Sequence, residues 1–203
     1  MKILSISIKL VLLAAAVVLV YFIVAGIRKP IDFEKQRADR YQKTISRLID
    51  IRTAQVAYKS IYGCYTPSFD TLINFIKNGK MPVVKAIGSV PDSLTELQAL
   101  KMGIIKRDTV YLNIKDTLFK HIDYPIEDLC RIPVGTKVKF RMDTASVMTG
   151  SEVLVKVFEA KANNWDILKG LDRQYIINFN EEKDSVLKVG SLETANNNAG
   201  NWE

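Results

Sequence analysis

KLVLLAAAVVLVYFIVAGIRKP, residues Lys9–Pro30, is the stretch from which the rest of the chain is read. From Leu10 to Ile27 it carries no charge, and Tyr21 has its only polar-tipped side chain. Those eighteen residues, wound as an α-helix, rise about 27 Å, close to the ~30 Å hydrocarbon thickness of a bilayer. Lys9 can snorkel to one interface, and Arg28 and Lys29 mark the other. A buried helix of this length without a polar face needs a much larger protein around it than 203 residues provide. The expectation is a short tail at 1–9 and a transmembrane helix at 10–27. A cleaved signal peptide is the rival, with Lys2 and Lys9 as its basic end and Val24-Ala25-Gly26 as a poor cleavage site. A lipoprotein signal does not fit, because Cys64 and Cys130 lie far beyond the apolar run.

Away from this stretch the composition is ordinary. With 48% apolar and 25% charged residues, neither disorder nor a fibrous repeat is indicated, and the length remaining suits one domain. The net charge of +7 is unevenly placed. Residues 28–60 hold nine basic side chains against four acids, whereas residues 61–203 hold eighteen of each. The high pI is therefore no sign of nucleic-acid binding, and no nucleic-acid partner is expected. The basic residues nearest the apolar run, Arg28, Lys29, Lys35, Arg37 and Arg40, are expected to meet anionic lipid headgroups or an acidic partner. Solvated pairs such as Asp39 with Lys43 account for part of the excess.

After Pro30, which allows a bend, a basic amphipathic stem helix is expected, giving a segment 28–62. Ala38, Tyr41, Ile45 and Leu48 are spaced three, four and three apart, a narrow coiled-coil-like seam with no domain residue obliged to cover it. That seam is the expected interface for a partner helix or a second copy. From Ile49 to Ile61 apolar residues cover most of the circumference, so this half should be embedded in the domain, and Gly63 should end the helix.

A globular domain is expected over 63–193. Thr66-Pro67 opens a helix bearing Phe69, Leu72, Ile73 and Ile76, with Asn78-Gly79 as its stop. Asp92 can cap a second helix bearing Leu94, Leu97 and Leu100, closed by Gly103. Alternation predicts strands at Val110–Ile114 and Val138–Met142, and further strands at Glu152–Phe158 and Gln174–Phe179. A short helix fits Trp165–Leu171 and an edge strand Val186–Val189, while the polar 194–203 should be a disordered tail. Helices followed by strands indicate an α+β fold with an antiparallel sheet.

IRTAQVAYKSIYGCYTPSFDTLINFI, Ile51–Ile76, resembles the helix-to-domain junction of type IV pilins and the pseudopilins of secretion systems. The matching positions are Ala54, Gln55, Tyr58, Gly63, Tyr65, Pro67 and Leu72. The order of parts matches too: apolar helix, amphipathic continuation, insertion, antiparallel sheet. The chain departs from those families in having no glycine before the apolar run and no glutamate early in it. Its architecture is similar also to the bitopic assembly-platform proteins of the same machines, which carry a small ferredoxin-like domain. The resemblance implies a non-catalytic structural or scaffold subunit of a cell-envelope assembly, acting through helix contacts with protein partners or itself. A membrane-tethered ligand- or peptide-binding domain is the alternative. The resemblance also favours a bacterial inner-membrane protein with its domain in the periplasm. The nine-residue basic tail has the form of an uncleaved signal anchor, which exports the domain attached to it, although counting Lys and Arg on each side would keep that domain in the cytoplasm. In an oxidising compartment Cys64 and Cys130 could form one disulfide.

Residues for chemistry are sparse. His121 is the only histidine, and its expected place is at or near the surface beside a turn. The cysteines are 66 positions apart without zinc spacing, and Gly88, Gly103 and Gly135 are isolated rather than grouped in a phosphate loop. Glu127-Asp128 and Glu181-Glu182 fall in turn-like stretches. No catalytic, cofactor or metal residue is therefore assigned, and the chain is expected not to be an enzyme.

Overall fold

The computed structural model describes residues 2–88, 95–135 and 137–203. One α-helix, α1, runs unbroken over Lys2–Tyr62, a rise of about 90 Å. Pro30, where the sequence allows a bend, lies inside it and does not end it, so the apolar segment continues into the stem as one helix. A proline ring crowds the carbonyl four residues earlier. Here that residue is Gly26, which has open space around its Cα. Beyond Pro30 the helix is reinforced at one-turn spacing, by Arg37 with Glu34 at 2.6 Å and by Lys43 with Asp39 at 2.7 Å. Gly63, at φ +71°, stops it and donates its N–H to the Lys59 carbonyl at 2.8 Å.

The two halves of α1 live in different surroundings. Every residue from Leu10 to Val24 is exposed, and by length and composition the helix that holds them is long and apolar enough to cross a membrane. From Phe33 onward one face is buried, and Leu48, Ile51 and Ala54 are wholly so. They meet a three-stranded antiparallel sheet in the order β3-β4-β5, formed by β3 (Arg141–Met148), β4 (Leu154–Asn163) and β5 (Val186–Gly190). Arg141 faces Lys161 across one ladder and Glu159 faces Gly190 across the other. Phe158, Ala160 and Val189 complete the contact with the helix, and Leu72, Phe75 and Ile76 of α2 (Phe69–Asn78) close the core from another side. Each fully buried Val, Leu, Ile or Phe among them contributes roughly 1.5–3 kcal/mol. Gly190, at φ +75°, lets β5 approach β4, since a Cβ there would lie 2.1 Å from the Phe158 carbonyl oxygen.

The loop leaving α1 is tied back to it by an amide. The wholly buried Gln55 donates Nε2–H to the Thr66 carbonyl at 2.6 Å and accepts the Thr66 N–H at 3.1 Å. Thr66 is thus not the cap of α2. That role falls to Ser68, whose side chain accepts the Thr71 N–H. Tyr65 packs against Phe158 at 4.8 Å, and Tyr58 meets Phe75 edge-on at 5.1 Å.

A second, separate sheet is a two-stranded antiparallel ribbon of β1 (Lys80–Ile87) and β2 (Lys106–Asn113), in register from Lys80 with Asn113 to Ile87 with Lys106. Between its strands α3 (Glu96–Lys101) is capped by Thr95, whose backbone N–H donates in turn to the Gln98 side chain. The expected cap Asp92 and apolar Leu94 fall outside the described residues. Ile114, expected in the strand, instead opens α4 (Ile114–Leu118), and a 3-10 turn follows at Ile126–Cys130.

Further expectations are corrected. Gln174–Phe179 is helix, within α6 (Arg173–Glu182), because Asp172 caps it and Tyr175, Ile176 and Phe179 fall on one helical face. The expected strand at Val138–Met142 begins only at Arg141, and the one at Glu152–Phe158 only at Leu154, Glu152 being a turn residue at φ +59°. The short helix near Trp165 is α5 (Asn164–Ile167). Residues 194–203 are not a loose tail: Gly200 bridges to Val189, Trp202 packs on the core, and Arg52 pairs with Glu203 at 2.6 Å. The boundary drawn at residue 63 likewise crosses one core, which α1 enters at Phe33. The fold is α+β, a long helix with small antiparallel sheets.

Candidate functional site

Polar groups gather where α1 meets the segment after α4. Asp50, one turn beyond Arg47 on α1, is almost wholly buried and accepts the Tyr124 hydroxyl at 2.6 Å. His121 Nε2 lies 3.2 Å from the other carboxylate oxygen, with most of the ring in solvent. Arg47 stacks 3.4 Å over the Tyr124 ring and donates to the Asp128 carbonyl. Burial and the Asp50 hydrogen bond both push the Tyr124 hydroxyl well above its ordinary pKa. Tyr124 therefore stays a neutral donor held on a carboxylate. The cluster docks the 119–128 segment onto α1.

Tyr124 also lines an open groove of about 650 Å³ with Phe119, Ile122 and Ile126, below a rim of Lys77, Lys115 and Lys120. Lys77 is paired with Glu127, and Asp116 accepts from the Asn113 amide at 3.0 Å. The Lys77 hydrogen bond, helped by the charge of Lys115, holds the Glu127 carboxyl below its ordinary range. Lys115 and Lys120 have no hydrogen bond or ion pair among the described residues. The groove thus offers an apolar floor and two lysines outside any ion pair, with the Asp116 carboxylate beside them. Asp50 behind it lies about 33 Å along α1 from Arg28.

The seam expected to hold a partner helix is covered by the chain itself. Leu48 is wholly buried, and Tyr41 and Ile45 pack against the core; Ala38 alone is exposed. Tyr41 donates its hydroxyl to Asn164 and meets Phe179 edge-on at 5.6 Å. Burial raises its pKa. The reason is α5, α6 and the C-terminal segment, none of which the sequence places beside this stripe. Arg37 and Arg40 are drawn in too. Arg37 lies 4.8 Å over the Phe179 ring, and Arg40 donates to the Ile167 and Lys169 carbonyls at 3.2 and 2.8 Å. Arg28, Lys29 and Lys35 remain exposed.

Cys64 and Cys130 are both free, so no disulfide joins them. Cys130 is buried in the 3-10 turn, donating to the Glu127 carbonyl, and Cys64 lies half-exposed past the end of α1. Among the described residues no three His, Cys, Asp or Glu side chains are grouped to hold a metal ion. The Lys115–Lys120 groove had no signal in sequence, because its lining comes from α2, α4 and the 119–127 segment and is assembled only by the fold. No protein-family model, no curated protein and no solved structure matches the chain.

Proposed function

We propose that this chain is a non-catalytic, single-pass membrane protein that serves as a structural subunit of a cell-envelope assembly, pilin-like in architecture. The observation that carries this reading is the continuity of α1. One helix is exposed and apolar from Leu10 to Val24, then becomes the central core element of the α+β domain from Phe33. Such a helix couples the domain rigidly to its anchor, where a flexible linker would leave a binding domain free to search. Its distal half on a three-stranded antiparallel sheet, followed by the Gln55–Thr66 junction, supports the pilin-like form. With the Tyr41–Leu48 seam covered, helix contacts with other subunits fall to the exposed apolar half. On this reading the domain faces the periplasm, and Arg28, Lys29 and Lys35 lie at the headgroup level.

Photo-crosslinking residues placed at the exposed Leu13 and Val17 test this in native membranes. A structural subunit gives a discrete adduct with one or two proteins in comparable amount. Adducts to lipid alone would refute the reading. Alkaline carbonate washing should leave the chain in the membrane pellet, and a phosphatase fused at the C-terminus should be active. The second reading, a tethered ligand-binding domain, is favoured by the groove with its unpaired Lys115 and Lys120. At about 33 Å along α1 from Arg28 and several screening lengths from a bilayer surface, that groove would face soluble anions rather than headgroups of the anchoring membrane.

A further inference from the structure

The unbroken α1 fixes how far each part of the domain stands from the end of the apolar run. Phe33, where α1 enters the core, lies six residues beyond Ile27, about 9 Å along the axis. Its ring stacks on Tyr175 of α6 at 5.2 Å. Four residues on, Phe179 meets Arg37 at 4.8 Å and Tyr41 at 5.6 Å. The steps along the two helices match, so α6 runs beside α1 in the same direction, away from the apolar run. Its first residue, Arg173, precedes Tyr175 by two positions and so stands about 6 Å beyond Ile27. The polar headgroup layer adds about 5–7 Å on each side of the hydrocarbon. With Leu10–Ile27 spanning that hydrocarbon, the start of α6 and the turn before it fall at headgroup level.

The side chains at that level are free to meet lipid. Lys169, Asp172 and Arg173 are exposed, while Leu171 and Tyr175 are half-buried against the core. The segment is held at both ends, by Arg40 donating to the carbonyls of Ile167 and Lys169 and by Tyr175 on Phe33. The Lys169 and Arg173 side chains have no hydrogen bond or ion pair among the described residues. Of the neighbouring acids, Asp172 accepts the Gln174 N–H at 2.9 Å and Glu34 pairs with Arg37 at 2.6 Å. Taken whole, residues 28–37 and 164–175 hold six bases against four acids.

We propose that the 169–175 segment rests on the headgroup layer of the membrane that holds α1, with Lys169 and Arg173 donating to lipid phosphates. The occupant is the anchoring bilayer, because the continuous helix brings this segment to the depth where headgroups already lie. Arg28, Lys29 and Lys35 meet the same layer from α1 itself. Because α6 lies to one side of α1, the contact tilts the helix toward that side and keeps one end of the domain on the membrane. This inference rests on the anchored-subunit reading and names the part of the domain that touches lipid.

The test uses the full chain with Cys64→Ser, the buried Cys130 being retained, in vesicles of phosphatidylcholine and phosphatidylglycerol. Gln174→Cys or Ser151→Cys, both at exposed positions, carries a fluorophore, and a nitroxide on the headgroup of an added lipid quenches it. Ser151 marks the far end of the domain, in the turn before β4, whose Lys156 carbonyl accepts from Lys59 near the end of α1. Circular dichroism verifies that each variant keeps the parent's secondary structure. The probe at 174 should lose most of its intensity to the nitroxide, and the probe at 151 almost none. Lys169→Glu with Arg173→Glu should lower the quenching at 174 by about twofold, as the reversed charges lift this end off an anionic surface. Equal quenching at the two positions would overturn the proposal, as would quenching at 174 that charge reversal leaves unchanged. Carbonate washing of the same vesicles separates the two readings. A chain that stays with the vesicles while its 174 probe is unquenched refutes the lipid contact alone and leaves that face to another subunit, and one that washes out refutes the anchored subunit.

Discussion

Leu48→Ala separates a helix that is core from a helix that is stem. Leu48 is wholly buried on α1, among side chains from the sheet and α2. Truncating such a leucine removes its transfer free energy and leaves a cavity, together about 2–5 kcal/mol. A domain of this kind is stable by about 5–15 kcal/mol, so the variant loses a large fraction of it. On a free, solvated stem the same change would be nearly neutral or slightly stabilising, because alanine is the better helix former. Urea titration of the full chain in detergent, followed by Trp165 and Trp202 fluorescence, reads the difference. With a slope of about 2 kcal/mol per molar urea, a loss of about 3 kcal/mol moves the midpoint down by about 1.5 M. Ile49→Ala, one residue on and 38% exposed, is the control and should move it by less than half as much. A Leu48→Ala midpoint within experimental scatter of the parent would refute the packing of α1 into the domain.

The junction gives a second outcome: Gln55→Leu leaves the buried Thr66 N–H and carbonyl unpaired and should cost about 2–4 kcal/mol in the same titration. Glu159 governs acid stability. Burial pushes its carboxyl up, but Lys161 at 2.7 Å and Lys188 at 3.3 Å outweigh that and hold it below its ordinary value. Its contribution is therefore full above about pH 4.3, the unfolded value, and is lost as pH falls through the lower folded one. Glu159→Gln should be less stable than the parent at pH 7, and the gap should narrow in thermal melts as the pH falls below the ordinary glutamate range. Deleting 194–203 removes the Gly200 bridge, the Trp202 packing and the Arg52–Glu203 pair. A lower melting temperature is expected, and an unchanged one would mean the segment is not part of the fold.

Local signals were the ones legible in sequence. Gly63 ends α1, Gly79 follows α2, and Val186–Gly190 is a strand, each because turn chemistry or alternation acts within a few residues. Ala54 and Leu72 are buried in the core, Tyr58 and Tyr65 pack against it, and Gln55 ties the loop after α1 back to the helix through Thr66. Gln174–Phe179 misled because β-branched and aromatic residues suit a strand, while the Asp172 cap and a buried face at helical spacing favour α6. The groove over Tyr124 was invisible, since its lysines, its floor and Asp50 come from elements far apart in sequence.

By itself the sequence determined the long uncharged apolar run, the basic excess of 28–60 and the α+β succession of elements, because each is set by composition and short-range periodicity. Tertiary structure alone decided that Tyr41, Ile45 and Leu48 face the chain's own domain rather than a partner. An apolar stripe states that something must cover it and carries no record of what. For Tyr41 the cover comes from Asn164 and Phe179, more than 120 residues away. The same holds for Arg37 and Arg40, which read as lipid-facing charge until Phe179 and the carbonyls of 167 and 169 were brought beside them. Long-range packing selects among partners that local pattern leaves equivalent, and it does so through burial free energy summed over the whole core.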